Sequence, residues 1–255
     1  MKVQLKKIAL GLMLGAGCAS ACQAAGYELT VYSDDVAKAG EFEGETIFSL
    51  ARPRPNLITG VRRVVQGLVE LNYGLGNGWA IGLEVPGFYT SESRKFAGAA
   101  IEIQYVAPQD AARGWYWGLR ADASWFSSVY ESEAEAAIEV NPILGYRFGS
   151  FHLAMNPSIE LPLDRRSGMR MSFNPAAKLS YQVSSDDGLG IEYFAHWGPA
   201  RSWLPPAKRD ETLYAVWDRR LALGHLSAGL GHGVRPATGS VDRWIAKIGL
   251  QFELD

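Results

Sequence analysis

Cysteine is nearly absent from this chain: the only two, Cys18 and Cys22, fall among its first two dozen residues. Those residues have the layout of a signal peptide. Lys2, Lys6 and Lys7 precede an apolar stretch over 8–21, and a small-x-small site at Cys22-Gln23-Ala24 places cleavage before Ala25. The stretch is too short and glycine-rich for a spanning helix. A lipoprotein acylated on Cys18 or Cys22 is the rival reading, but neither has a leucine three positions earlier. After cleavage no cysteine remains, which excludes disulfide-stapled folds and thiolate metal sites. Positive charge is also lacking. The formal net charge of −2 falls further once the three leader lysines are gone, so nothing favours nucleic acid. Finally, although 47% of residues are hydrophobic, no stretch after the leader approaches 18 apolar residues. If the mature chain crosses a membrane, it must do so as a barrel.

What is present is period two. From Phe42 onward twelve runs of about ten residues alternate apolar with mixed positions, at 42–51, 62–73, 78–88, 96–107, 114–126, 135–148, 151–162, 172–183, 188–198, 211–222, 225–234 and 241–254. About ten residues suffice for a tilted strand to cross a bilayer, and an even number brings both ends to one side. Short connections, such as Gly74-Leu75-Gly76-Asn77-Gly78, Gly149-Ser150 and Leu223-Gly224, alternate with longer polar ones at 52–61, 89–95, 127–134, 163–171 and 198–210. In outer-membrane barrels the short turns are periplasmic. The expected fold is therefore all-β: a closed antiparallel transmembrane β-barrel of twelve strands over 42–255, with short periplasmic turns. Residues 1–24 are the signal peptide, and 25–41 are left as an N-terminal tail or small plug.

Aromatic placement separates the faces. Tyr73, Trp79, Tyr105, Trp115, Tyr146, Phe151, Tyr181 and Phe252 lie in the apolar rows near the short turns, while Phe88, Trp125, Phe173, Trp197 and Trp244 lie toward the long loops. Two girdles at headgroup level result. A periplasmic β-sandwich, the alternative, would gather its aromatics at mid-strand.

The segment Leu68-Val-Glu-Leu-Asn-Tyr-Gly-Leu-Gly-Asn-Gly-Trp-Ala-Ile-Gly-Leu-Glu-Val-Pro86 resembles the outer-membrane barrel family named for the meta-pathway of phenol degradation. The resemblance implies passage or binding of small apolar or aromatic compounds and carries over no functional residue. One departure is the end of the chain, where Glu253, Leu254 and Asp255 follow Phe252 instead of a terminal aromatic residue.

Charges on the mixed rows are expensive at mid-membrane unless they face water or each other. This assigns to the lumen the acids Glu70, Glu84, Glu102, Asp122, Glu139, Glu160, Glu192 and Asp218, and the bases Arg120, Arg147, Lys178, Arg220, Arg243 and Lys247. Glu41, Glu43 and Glu45 add acid at the periplasmic end. Such a set forms either a cross-lumen network that props the wall or a polar pathway for solutes. Asn141-Pro142, Asn156-Pro157 and Asn174-Pro175 recur on three successive strands, with Asn inward, and either narrow the lumen with three carboxamides or are unrelated irregularities. Arg219 falls on the apolar row, and a bulge near Trp217 would restore it to the inner one.

His225-Leu226-Ser227 has the His-x-Ser spacing of outer-membrane lipid hydrolases, in which alternate residues of one strand share a proton. No Asn or Glu follows within two dozen residues to complete the set. His152, His196 and His232 fall on other strands, and no spacing suits a closed metal site. The glycines over 224–233 precede a strand, not a helix, so they form no phosphate loop; they relieve crowding or allow a bend in the barrel wall. The expectation is an outer-membrane channel or binding protein for small solutes, without cofactor. A lipid-modifying barrel enzyme and a structural or adhesive barrel are the alternatives. Its partners are membrane lipids, a small-molecule solute and the barrel assembly machinery.

Overall fold

The computed structural model describes residues 30–53, 64–90, 94–96, 98–108, 114–126, 136–163, 170–206, 209–235 and 242–254. The leader with its expected cleavage site lies outside these residues. The strands are β1 Phe42–Pro53, β2 Val64–Gly76, β3 Trp79–Thr90, β4 Arg94–Phe96, β5 Gly98–Val106, β6 Gly114–Phe126, β7 Ala136–Phe148, β8 Phe151–Pro162, β9 Ser172–Gln182, β10 Asp187–His196, β11 Asp210–Leu221, β12 Gly224–Arg235 and β13 Asp242–Leu254. Apart from β4 and β5, consecutive strands pair antiparallel, and β1 also pairs with β13, so the wall closes. The short β4 and the longer β5 both pair with β3, along successive stretches of it, and together fill one wall position. Twelve positions result. The expected run at 96–107 is thus one strand with an irregularity near its start.

Closure follows from alternation, because every strand has one row that must leave water or meet lipid and one that must not. On β6, Trp115, Trp117 and Trp125 point out, with Trp115 69% exposed, while Tyr116, Arg120 and Ser124 are buried inside. On β5, Ile101 is 59% exposed and its neighbours Ala100 and Glu102 are buried. An isolated chain in water would not leave such rows bare; a lipid-facing wall requires them. The tight β2–β3 turn is set by Asn77, with φ 53°, between Gly76 and Gly78, whose φ values of 90° and 83° suit glycine.

Aromatic rings join across strands at the short-turn edge. Trp79 meets Tyr105 and Tyr105 meets Trp117, while Trp115, Tyr146, Phe148, Phe151 and Tyr181 form a second chain with centroids 4.8–5.8 Å apart. At the opposite edge the chain beyond β10 folds back on β9, stacking Trp203 on Phe173 at 5.7 Å.

The proline trio lands in one row. Pro142, Pro157 and Pro175 sit side by side on the outward face of β7, β8 and β9, with Pro157 paired to Pro175. Between Val140↔Ile159 and Leu144↔Met155 the β7–β8 pairing lapses, because neither facing proline has an N–H to give.

Arg219 corrects one expectation. The β10–β11 and β11–β12 registers run unbroken through Trp217, the only irregularity in β11 being at Glu211/Thr212, so no bulge turns Arg219 inward. It stays outside at the short-turn edge, 3.3 Å from Asp187, whose carboxylate also accepts the Trp217 indole N–H at 3.1 Å. At the membrane boundary a charge on the outer row is tolerated.

Candidate functional site

Inward side chains fill the lumen as two charge clusters. In the first, Arg120 on β6 is only 3% exposed and pairs with Glu102 on the neighbouring β5. It also reaches Glu84 on β3 at 3.4 Å and Asp122 on its own strand at 3.3 Å. Register explains the gathering, since Glu84 faces Glu70 and Glu102 faces Asp122 across adjacent strands. The carboxylates of Glu70, Glu84 and Glu102 lie within 4.8 Å of one another. Like charges so close demand a counter-charge, and the Arg120 guanidinium supplies it through Glu84 and Glu102.

The second cluster occupies β9 to β13. Lys178 bridges Glu192 at 3.1 Å and Asp218 at 2.9 Å, and Lys247 pairs with Glu192 from the other side. The stem of Lys247 lies against Gly229, where a Cβ would come within 3.1 Å of it, and its ammonium sits 4.9 Å from the Tyr214 ring centroid. Tyr214 in turn covers Gly231. The glycines of β12 that face inward therefore make room for these two side chains.

Other inward residues are used separately. Glu160 accepts from Ser172 and Asn174 at 3.4 Å each, and Asn174 meets His196 at 2.8 Å. Asn141 accepts from Ser158. Glu139 faces Asp122 and Glu160 in register. The three asparagines thus bind different partners. Arg220 lies on the same row of β11 as Asp218 and is exposed at the short-turn mouth, where β11 ends. The side chain of Arg243 lies outside the described residues.

Residues 30–41, left open above as a tail or a small plug, make specific contacts with the inner wall. The Asn156 carboxamide clamps the Tyr32 backbone, accepting its N–H at 2.8 Å and donating to its carbonyl at 3.1 Å. The Tyr32 ring lies 4.2 Å from the Arg120 guanidinium. Asp34 pairs with Arg147, the Asp35 carbonyl accepts from Gln104 at 2.8 Å, and Tyr32 and Val36 pack on Val106, Tyr116 and Ile143. All these partners are on inward rows, so the segment runs inside the barrel. Lys38 then pairs with Glu253, and Gly40 donates to the Gly74 carbonyl at 2.8 Å, leading the chain into β1. A signal existed in the sequence: Tyr32, Asp34 and Val36 alternate as a strand would, though nothing there named their partners.

The histidines lie in separate surroundings. The Ser227 hydroxyl donates to Asp218 at 2.7 Å, inside the Lys178 cluster, while His225 is exposed at the short-turn mouth. His232 points outward against Trp244 at 4.5 Å. His152 meets the Tyr116 hydroxyl at 2.6 Å.

No family model and no curated protein sequence matches the chain. Among solved structures it is similar to an outer membrane channel from Pseudomonas putida F1, with TM-score 0.61 and 10% identity over 89% of this chain and 100% of that one. It is also similar to NanC porin, with TM-score 0.56 and 10% identity over 84% and 99%. For KdgM porin the TM-score is 0.53 and the identity 12%, over 82% and 98%. At these identities the likeness is one of fold, that of an outer-membrane β-barrel.

Proposed function

We propose that this chain spans the outer membrane as a narrow channel for small solutes, nearly closed at rest by its own residues 30–41. The observation that carries the reading is the buried inward charge, Arg120 with Glu84, Glu102 and Asp122 and Lys178 with Glu192 and Asp218, inside a wall whose outer row is apolar. A wall of twelve strands lies between barrels filled by side chains and those that leave an aqueous channel. Here buried charged side chains and residues 30–41 both lie on the inner side of the wall. The fold is shared with proteins described as a channel and as porins. Apolar or aromatic solutes agree with the hairpin resemblance and with the apolar patch of Val106, Tyr116 and Ile143. A lipid hydrolase is disfavoured because the Ser227 hydroxyl is committed to Asp218.

The test is conductance of the purified mature protein in planar bilayers, beside a form lacking residues 30–38. The full protein gives small conductance with mild cation preference, and the deletion raises it severalfold while the barrel still resists detergent on an unboiled gel. A large, strongly anion-selective conductance in the full protein, or none in either form, refutes the reading.

A further inference from the structure

The contact between Asp34 and the barrel wall has the form of a ligand in a binding site. Arg147 on β7 grips the carboxylate with both terminal guanidinium nitrogens, Nη2 donating to Oδ1 at 2.7 Å and Nη1 to Oδ2. Paired N–H···O bonds of this kind recognise a planar carboxylate specifically. His152, which faces Arg147 across the β7–β8 ladder, brings Nε2 to 4.0 Å from Asp34 Oδ1. The imidazole is fixed by the Tyr116 hydroxyl at 2.6 Å, and the Arg147 guanidinium stands 5.6 Å from the Tyr116 ring centroid. Tyr116 reaches so far across the wall because its β7 neighbour is Gly145, where any Cβ would collide with the ring.

Asp34 does not arrive alone. In an extended segment, alternate residues share a face, and Tyr32 and Val36 flank the carboxylate while packing on Val106, Tyr116 and Ile143. The wall thus receives a carboxylate with apolar groups beside it. Arg147 is a basic side chain paired to a part of the chain that is not wall, and its own side chain remains 35% exposed with Asp34 in place.

We propose that Arg147, His152, Tyr116 and the adjoining apolar patch form a binding site for small apolar or aromatic carboxylates, occupied in the resting protein by Asp34 as an internal mimic. This rests on the solute-channel reading and names its solute class. A solute carboxylate entering the lumen competes with Asp34 for the fork of Arg147, and local release of Asp34 loosens residues 30–41 and widens the path. A group tethered to the barrel competes at about millimolar effective concentration or above, so solutes must be abundant to displace it.

The experiment measures binding of sodium benzoate to the detergent-purified mature protein by calorimetry, with benzyl alcohol as the ring lacking a carboxylate. Benzoate-stimulated conductance is recorded in parallel, and detergent resistance of the unboiled barrel serves as the folding check. Asp34→Asn removes the competitor and strengthens benzoate binding about tenfold or more. Arg147→Lys keeps the charge, loses the fork and weakens binding severalfold, and Arg147→Gln abolishes it. Benzyl alcohol binds none of them measurably. Binding that follows Asp34 and Arg147 in barrels that never conduct supports the site and defeats the channel reading. Conduction with benzoate binding indifferent to both residues does the reverse. Unchanged or weaker benzoate binding in folded Asp34→Asn overturns the proposal.

Discussion

Exchanging Arg120 for methionine removes one guanidinium from a group of four acids and keeps much of its apolar bulk. Glu84 lies 3.4 Å and Asp122 3.3 Å from Arg120, Glu102 is paired with it, and Glu70 lies within 4.8 Å of Glu84 and Glu102. Breaking a buried pair by removing one partner costs about 3–5 kcal/mol, because the other charge is left uncompensated. The carboxylates already repel one another, by about 3 kcal/mol per pair at roughly 5 Å and an effective dielectric near 20, and the substitution removes the charge that offsets this. Two results follow from the same arithmetic. The folded barrel loses stability, read as a lower temperature for conversion to the unfolded band on a detergent gel. The lumen also gains net negative charge, so mobile cations replace the arginine. Under a tenfold salt gradient the reversal potential of Arg120→Met moves toward the cation limit of about 59 mV, and single-channel conductance rises. High salt shrinks the difference, since screening within about 3 Å at 1 M weakens any field not held by direct contact. An unchanged reversal potential together with an unchanged unfolding temperature would refute the facing of Arg120 and the network built on it.

Two further substitutions test the wall. Ile101→Arg places a charge on the outward row of β5 and costs about 2–4 kcal/mol if that face meets lipid, whereas Gln104→Arg, on the inward row of the same strand, assembles normally; equal yields of folded barrel from both would contradict the assignment of faces. Gly231→Ala puts a methyl group 2.5 Å from Tyr214 Cε1, which forces the ring aside at a cost of about 1–3 kcal/mol, and Tyr214→Ala in the same chain restores much of the loss, measured as the unfolding temperature in detergent.

The wall was legible in the sequence because a strand with lipid on one side writes its facing directly into alternate residues. Trp115, Trp117 and Trp125 against Arg120 and Ser124 need no neighbour to be interpreted. What alternation does not encode is register, and register decides which charges meet. Glu70, Glu84, Glu102 and Asp122 were assignable to the lumen one by one, but their convergence on Arg120 depends on the offsets of β2, β3, β5 and β6. Arg219 misled because a charge on the outer row is forbidden only at depth, and its position at the edge follows from where β11 ends. The inner segment was the least visible. Tyr32, Asp34 and Val36 bind residues more than a hundred positions away, Asn156 and Arg147 among them, and no local pattern carries such a pairing. The three asparagines shared a motif yet diverged, since each carboxamide took whichever partner the neighbouring strand or the segment offered.

The row of Pro142, Pro157 and Pro175 bears on how the barrel comes apart under load. A closed ladder resists shear as a whole because every rung shares the force, and a ring of equal rungs has no preferred place to tear. Where Pro142 and Pro157 face each other between β7 and β8, rungs are missing in mid-wall, and the bonds on either side carry the strain alone. The barrel therefore has a built-in seam. At that depth the side chains of Asn141, Asn156 and Ser158 take over part of the tie between the two strands, so a pull in the membrane plane there falls on side chains instead of backbone.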